Sequence, residues 1–209
     1  MTIKATSALS ILAIWVAAVT AVLVEHDSWW ILIFAFLATG AVGISAWRRL
    51  GLSRLIAIAG IWGGASLAAG SDPGAAWVSI FAFLATGAVV YSSMRRDALG
   101  VAAGIVAAWV VVGLAVAVQG EGAAWMAVFA FLTAGALANT GGNFARGAAG
   151  VLWWGIAGAL VLIAGTGWAW LCVPAFLLTA GSVGFSEFHL PKRMEWDLFD
   201  RDDDRDRVR

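Results

Sequence analysis

The sequence has few of the residues from which catalytic and redox sites are built. A single cysteine, Cys172, excludes an intrachain disulfide and a thiolate metal site. Two histidines, His26 and His189, are too few for a haem or a histidine-rich metal centre. No ionisable side chain lies deep within any long apolar stretch, although such residues usually mark proton and ion pathways. These absences argue against a pump, a coupled carrier or a membrane hydrolase, and we expect no catalytic residue, no cofactor and no metal site.

Charge is also scarce. Charged residues make up 12% of the 209 residues, whereas 62% are hydrophobic and the mean hydropathy is +0.89. A soluble domain carries about 25% charged residues, so the composition indicates an integral membrane protein. Stretches of about 20 mostly apolar residues, the length that a spanning helix needs, occur at 5–24, 28–47, 52–70, 74–94, 98–119, 122–141, 147–165 and 167–187.

One decapeptide recurs along the chain. The segment IFAFLATGAV at 33–42 returns unchanged at 80–89, and altered copies follow at 128–137 and 174–183. A period of about 46 to 48 residues is typical of a repeat protein. Short links join the two spans of each pair, and this favours antiparallel hairpins. The sequence therefore predicts an all-α integral membrane fold of eight transmembrane helices in four tandem parallel hairpin repeats, with pseudo-fourfold or nested twofold symmetry.

The hairpins also define the expected domains. A transmembrane domain covers 1–189, with repeats at about 5–49, 50–97, 98–144 and 145–189. The remaining segment, 190–209, is rich in charges of both signs, and we expect it to be a cytoplasmic, disordered tail.

The short links within the hairpins carry acidic residues and no lysine or arginine, whereas basic residues lie at the opposite ends of the spans. The acidic set is Glu25, Asp27, Asp72 and Glu121, and the basic set is Lys4, Arg48, Arg49, Arg54, Arg95, Arg96, Arg146, Lys192 and Arg193. Because basic residues favour the cytoplasmic side, both termini are predicted to be cytoplasmic. We expect a multi-pass protein of a prokaryotic plasma membrane.

Small residues predict how the helices associate. Lipid supplies little hydrophobic drive between helices, so close packing of small side chains becomes decisive. The decapeptide and its copies therefore predict helix-packing residues in the second helices of the hairpins, namely Gly40, Gly87, Gly135, Gly181, Thr39 and Thr86. The first helices carry small residues of their own, at Gly60, Gly64, Gly100, Gly104, Gly150 and Gly158. Since the decapeptide is the more regular element, we expect the second helices to line an inner ring and the first helices an outer one.

Each first helix carries a tryptophan near the middle of its span, namely Trp15, Trp62, Trp109 and Trp154. A buried indole N–H needs an acceptor, and Thr39 and Thr86 are suitable. The alternative is contact with a lipid or pigment, such as a quinone or a carotenoid.

Two functions remain open at this level. The first is a structural, lipid-binding or partner-binding role without catalysis, with membrane lipids, a second copy or another membrane protein as partner and no nucleic acid. The second is a passive channel or facilitator for a small neutral solute along the repeat axis, with Thr39, Thr86 and Thr133 as its polar lining.

Overall fold

The structure is a computed structural model that describes residues 3–45, 51–95, 98–140 and 142–181. The predicted tail at 190–209 lies outside the described residues. The described chain is all-helical, as predicted, because a helix satisfies its own backbone hydrogen bonds in an apolar environment. Its α-helices are α1 (Ile3–Val24), α2 (Trp30–Ser45), α3 (Leu52–Ser71), α4 (Val78–Tyr91), α5 (Leu99–Gln119), α6 (Met126–Ala138), α7 (Phe144–Ala164) and α8 (Cys172–Gly181).

Six helical segments are long and apolar enough to cross a membrane: Ala5–Val24, Leu52–Ser71, Pro73–Tyr91, Leu99–Gln119, Glu121–Ala138 and Phe144–Ala164. The apolar segments around α2 and α8, Trp30–Gly43 and Thr166–Gly181, are shorter within the described residues. Many large apolar side chains are exposed, among them Leu23, Phe36 and Ile163, as expected of a surface that faces lipid. The chain is a multi-pass membrane protein.

The two helices of each hairpin are joined by a short turn that contains 3₁₀-helix. Asp72 caps the turn after α3, because its carboxylate accepts from the backbone N–H of Gly74 at 2.9 Å. Gly120 and Gly165 end α5 and α7 with φ values of 76° and 92°. Residues with a side chain rarely adopt this backbone conformation, so these two turns require glycine.

The helices pack in two rows. The first-helix row contains α1, α3, α5 and α7, and the second-helix row contains α2, α4, α6 and α8; each helix packs against its neighbours in chain order. Helices of the same hairpin connect the rows. Within the described ranges no extensive packing joins α1 to α7 or α2 to α8. The predicted ring of second helices around a central axis was therefore wrong, because contact follows chain order and does not close.

Glycines bring the helices of the first-helix row into backbone contact. A Cβ atom added to Gly104 would lie 2.9 Å from the carbonyl oxygen of Gly147, and one added to Gly113 would lie 2.7 Å from that of Gly64. The Cβ positions of Gly60, Gly64, Gly100 and Gly158 are equally obstructed. The small residues predicted to pack the first helices are confirmed there, and within the described residues they form close seams between α3 and α5 and between α5 and α7.

The glycines of the decapeptide copies behave differently. A Cβ atom at Gly40, Gly87, Gly135 or Gly181 would have no neighbour within 4 Å. The prediction that these glycines pack helices together needs correction, since nothing in the described chain approaches them. The alanines on other faces of the same helices carry the contact instead, and Ala35, Ala38, Ala82 and Ala85 are fully buried.

Candidate functional site

Two of these glycines, Gly40 and Gly87, lie in a groove on the outer surface of the second-helix row. This α2/α4 groove has a volume of about 600 Å³ and is lined by Phe36, Leu37, Thr39, Gly40, Ala41, Phe83, Leu84, Gly87 and Tyr91. Most of these residues belong to the two identical copies of the decapeptide. Gly40 and Gly87 leave open space where side chains would otherwise project. The ring of Phe36, 68% exposed, stands beside that space.

The groove approaches one end of the helices, which we call the basic end. Tyr91, the last residue of α4 and the only tyrosine, is half exposed where the groove terminates. Immediately beyond it, the guanidinium of Arg54 donates to the carbonyl oxygens of Ser92 and Met94 at 2.9 and 2.8 Å. Arg95 and Arg146 belong to the same end, because the backbone of Arg95 accepts from Ser53 and its side chain lies beside Gly142.

The opposite, acidic end holds every acidic residue that the structure describes: Glu25, Asp27, Asp72 and Glu121. The carboxylate of Asp72 also accepts from the backbone N–H of Glu121 at 2.7 Å, which links the turn after α3 to the turn after α5. Within the described ranges no group of three metal-binding side chains comes together. Asp72 therefore both caps its own turn and links it to the next one.

The mid-span tryptophans connect the two rows. The indole N–H groups of Trp15 and Trp62 donate to the hydroxyls of Thr39 and Thr86, each at 3.0 Å. Those hydroxyls in turn donate to the carbonyl oxygens of Ala35 and Ala82. The predicted threonine partners are thus confirmed. A chain of this kind strengthens each of its hydrogen bonds and satisfies an indole that is otherwise costly to bury.

The third and fourth tryptophans break this pattern. Thr133 follows Trp109 by the same 24 residues that separate the first two pairs, yet it accepts from Trp154 at 3.1 Å. The indole N–H of Trp109 is buried without a partner. A signal existed in the sequence: threonine directly precedes the glycine at Gly40 and Gly87 but lies two residues before Gly135. One step along a helix turns a side chain by about 100°.

The tryptophans are poorly placed to contact a lipid or pigment. Trp62, Trp109 and Trp154 have no exposed surface, and only Trp15 is partly exposed. Their rings fill the space between the two rows. Sequence reasoning identified the correct acceptors for two of them but missed the α2/α4 groove, because it assigned the glycines of the decapeptide to a helix seam.

No family model matches this chain, and neither a curated protein nor a solved structure resembles it significantly.

Proposed function

We propose that this chain is a non-enzymatic membrane protein of eight spans, arranged as four parallel hairpin repeats, which binds membrane lipid or a membrane partner through its second-helix row. One observation carries the proposal. The decapeptide is the most regular segment of the sequence, and its two identical copies expose Gly40 and Gly87 in a groove on the outer surface of the second-helix row. Exposed apolar depressions of this kind mark interaction sites.

The division of contacts between the two rows supports this role. The first-helix row supplies cohesion through backbone contacts at glycine. The second-helix row is held against the first-helix row by buried alanines and by the tryptophan–threonine hydrogen bonds, such as the one from Trp62 to Thr86. On the outer face of α2 and α4, Gly40 and Gly87 make no contact with another helix, while the bonds from Trp15 to Thr39 and from Trp62 to Thr86 hold the two helices in place from the inner side.

The alternative role, a passive channel, has less support. A pore needs a wet stripe of polar side chains. The three threonines expected to form it, Thr39, Thr86 and Thr133, accept hydrogen bonds from tryptophan indoles between the rows. We therefore do not propose transport.

The proposed orientation places the basic end, with both termini, on the cytoplasmic side of a prokaryotic plasma membrane. Cysteine labelling tests it in a Cys172→Ser background, in which the native buried thiol is removed. A membrane-impermeant maleimide added from outside is expected to modify Ser71→Cys at the acidic end and to spare Ser93→Cys at the basic end. Both positions are exposed, so both thiols can react when they are on the side of the reagent. If only Ser93→Cys were labelled, the protein would have the opposite orientation to the one proposed.

Site-specific photocrosslinking tests the binding role. A benzoylphenylalanine in place of Phe36 samples the α2/α4 groove. One in place of Ile163 on α7, the most exposed of the described large apolar residues at 84%, samples ordinary apolar surface. After irradiation in native membranes, intact-mass analysis is expected to find one dominant adduct at Phe36 and a mixed set at Ile163. The same mixed set at both positions would contradict the proposed function.

A further inference from the structure

Another pocket lies at the acidic end of the molecule, between the beginnings of α2 and α4. It has a volume of about 370 Å³ and is lined by Trp30, Phe34, Pro73, Gly74, Ala76, Trp77 and Ile80. We call it the Trp30/Trp77 pocket, and it shares no lining residue with the α2/α4 groove. The two indoles are 53% and 37% exposed, so a ligand can reach both of them.

The aromatic rings of this pocket are held in place by neighbouring rings or by the core. Trp30 stacks on Trp29 with ring centroids 4.3 Å apart, and Trp77 meets Phe81 edge to face at 5.8 Å. Phe34 packs against the hydrophobic core. The face of an aromatic ring attracts a cation, tryptophan most strongly, and several rings around one space are a known way to bind quaternary ammonium groups.

Two carboxylates touch Gly74, which lines the pocket. That of Asp72 accepts from the backbone N–H of Gly74 at 2.9 Å, and that of Glu121, from the next turn, lies directly against the position of a Cβ atom on Gly74. Asp72 is also bonded to the backbone N–H of Glu121. The carboxylate of Glu121 has no hydrogen-bond or ion-pair partner among the described residues, so its charge can act on a ligand.

The local electrostatics favour a cation. The arginines that the structure describes belong to the opposite, basic end. The helices α2 and α4 begin at the pocket, and each start contributes about half a positive charge. The two full negative charges of Asp72 and Glu121 outweigh these partial charges.

We infer that the Trp30/Trp77 pocket binds a methylated ammonium group, either of a free cation such as choline or of a phosphatidylcholine headgroup. A primary ammonium has three N–H donors that need acceptors, and the side chains of the lining contain no oxygen. A methylated ammonium has no such need and is stabilised by ring faces. The inference goes beyond the proposed function, because this pocket and the α2/α4 groove are separate and crosslinking at Phe36 does not decide it.

Saturation-transfer NMR on the full-length protein in a neutral maltoside detergent tests the inference. The probes are choline and its uncharged carbon isostere, in which a tert-butyl group replaces the trimethylammonium group. Both probes bury the same apolar surface, but only choline is attracted to the ring faces. The wild type is therefore expected to bind choline with a Kd at least about threefold lower than that of the isostere.

Variants locate the binding. Trp77→Leu keeps an apolar side chain but removes a ring, and it is expected to raise the Kd of choline at least about threefold. Trp125→Leu is the matched control, since Trp125 precedes α6 as Trp77 precedes α4 and meets Phe129 at the same 5.8 Å. It does not line the pocket, so choline binding is expected to stay as in the wild type. Glu121→Gln is expected to weaken binding about twofold at low salt and to make it less sensitive to added salt.

A thermal melt of each variant separates loss of binding from loss of fold. Equal affinity for choline and its isostere, or an equal loss in Trp77→Leu and Trp125→Leu, would overturn the inference. Phosphatidylcholine and phosphatidylglycerol of the same acyl composition, added to the micelles, identify the source of the ammonium group. Displacement of choline by phosphatidylcholine alone indicates a lipid headgroup, and displacement by neither indicates a free cation. Displacement by both would contradict recognition of the ammonium group.

Discussion

Glycine has opposite consequences in the two rows of helices. In the first-helix row it lets backbones touch, as at Gly104 against Gly147 and Gly113 against Gly64. In the second-helix row Gly40, Gly87 and Gly135 face open space, and alanines make the contacts. A small residue in a membrane helix therefore has no fixed role. It permits close approach only where a partner helix is present, and elsewhere it leaves a depression in the surface.

The largest expected effect comes from the same substitution in each row. At Gly64 a side chain would meet the backbone carbonyl of Trp109, so Gly64→Leu is expected to overpack the seam and lower the free energy of unfolding by about 3 kcal/mol. A Cβ atom at Gly87 would meet nothing within 4 Å, so Gly87→Leu is expected to stay within about 0.5 kcal/mol of the wild type. Denaturant unfolding in detergent measures both values. Equal destabilisation by the two substitutions would mean that Gly87, like Gly64, packs against another helix.

The tryptophans that connect the rows offer a smaller contrast. Trp62 and Trp109 are both fully buried, but only Trp62 has an acceptor. Replacement by phenylalanine removes similar packing at both positions, yet it breaks a hydrogen bond only at Trp62. Trp62→Phe is therefore expected to cost about 1 kcal/mol more than Trp109→Phe, again by equilibrium unfolding. A larger loss at Trp109 would show that its indole N–H has a partner in the membrane-embedded protein.

The smallest expected effect is the energy of the hydrogen bond at Thr133, which accepts from Trp154 and not from Trp109. A double-mutant cycle of Thr133→Val with Trp154→Phe is expected to give a coupling energy of about 0.6 kcal/mol, the average for a hydrogen bond between membrane helices. The parallel cycle of Thr133→Val with Trp109→Phe is expected to give none. Coupling to Trp109 instead of Trp154 would restore the pairing that the 24-residue spacing implies and would remove the difference between the first two hairpins and the third.

Much of the fold follows from local properties of the sequence. Apolar runs of sufficient length predict helices, and turn residues such as Asp72 and Gly120 predict where they stop. The Thr39 and Thr86 partners of Trp15 and Trp62 were also predictable, since a buried indole needs an acceptor and few were available. The α2/α4 groove could not be predicted in this way. The sequence of the decapeptide is the same whether or not another helix packs against Gly40, so it does not reveal that this glycine is open.

The sequence by itself determined that the chain is helical, that apolar stretches of membrane-spanning length recur along it, and that the links within the hairpins carry acidic residues but no lysine or arginine, because these properties depend on residues close together in the chain. Only the tertiary structure decided which faces meet: that contact runs in two open rows, that the seam belongs to Gly64, Gly104 and Gly147, and that Thr133 accepts from Trp154. The physical reason is that contact between small apolar faces in lipid is chosen by shape over the whole bundle. Thr133 lies one position further from its glycine than Thr39 and Thr86 do. Such a shift turns a side chain by about 100° around the helix and can exchange its partner without any change in composition.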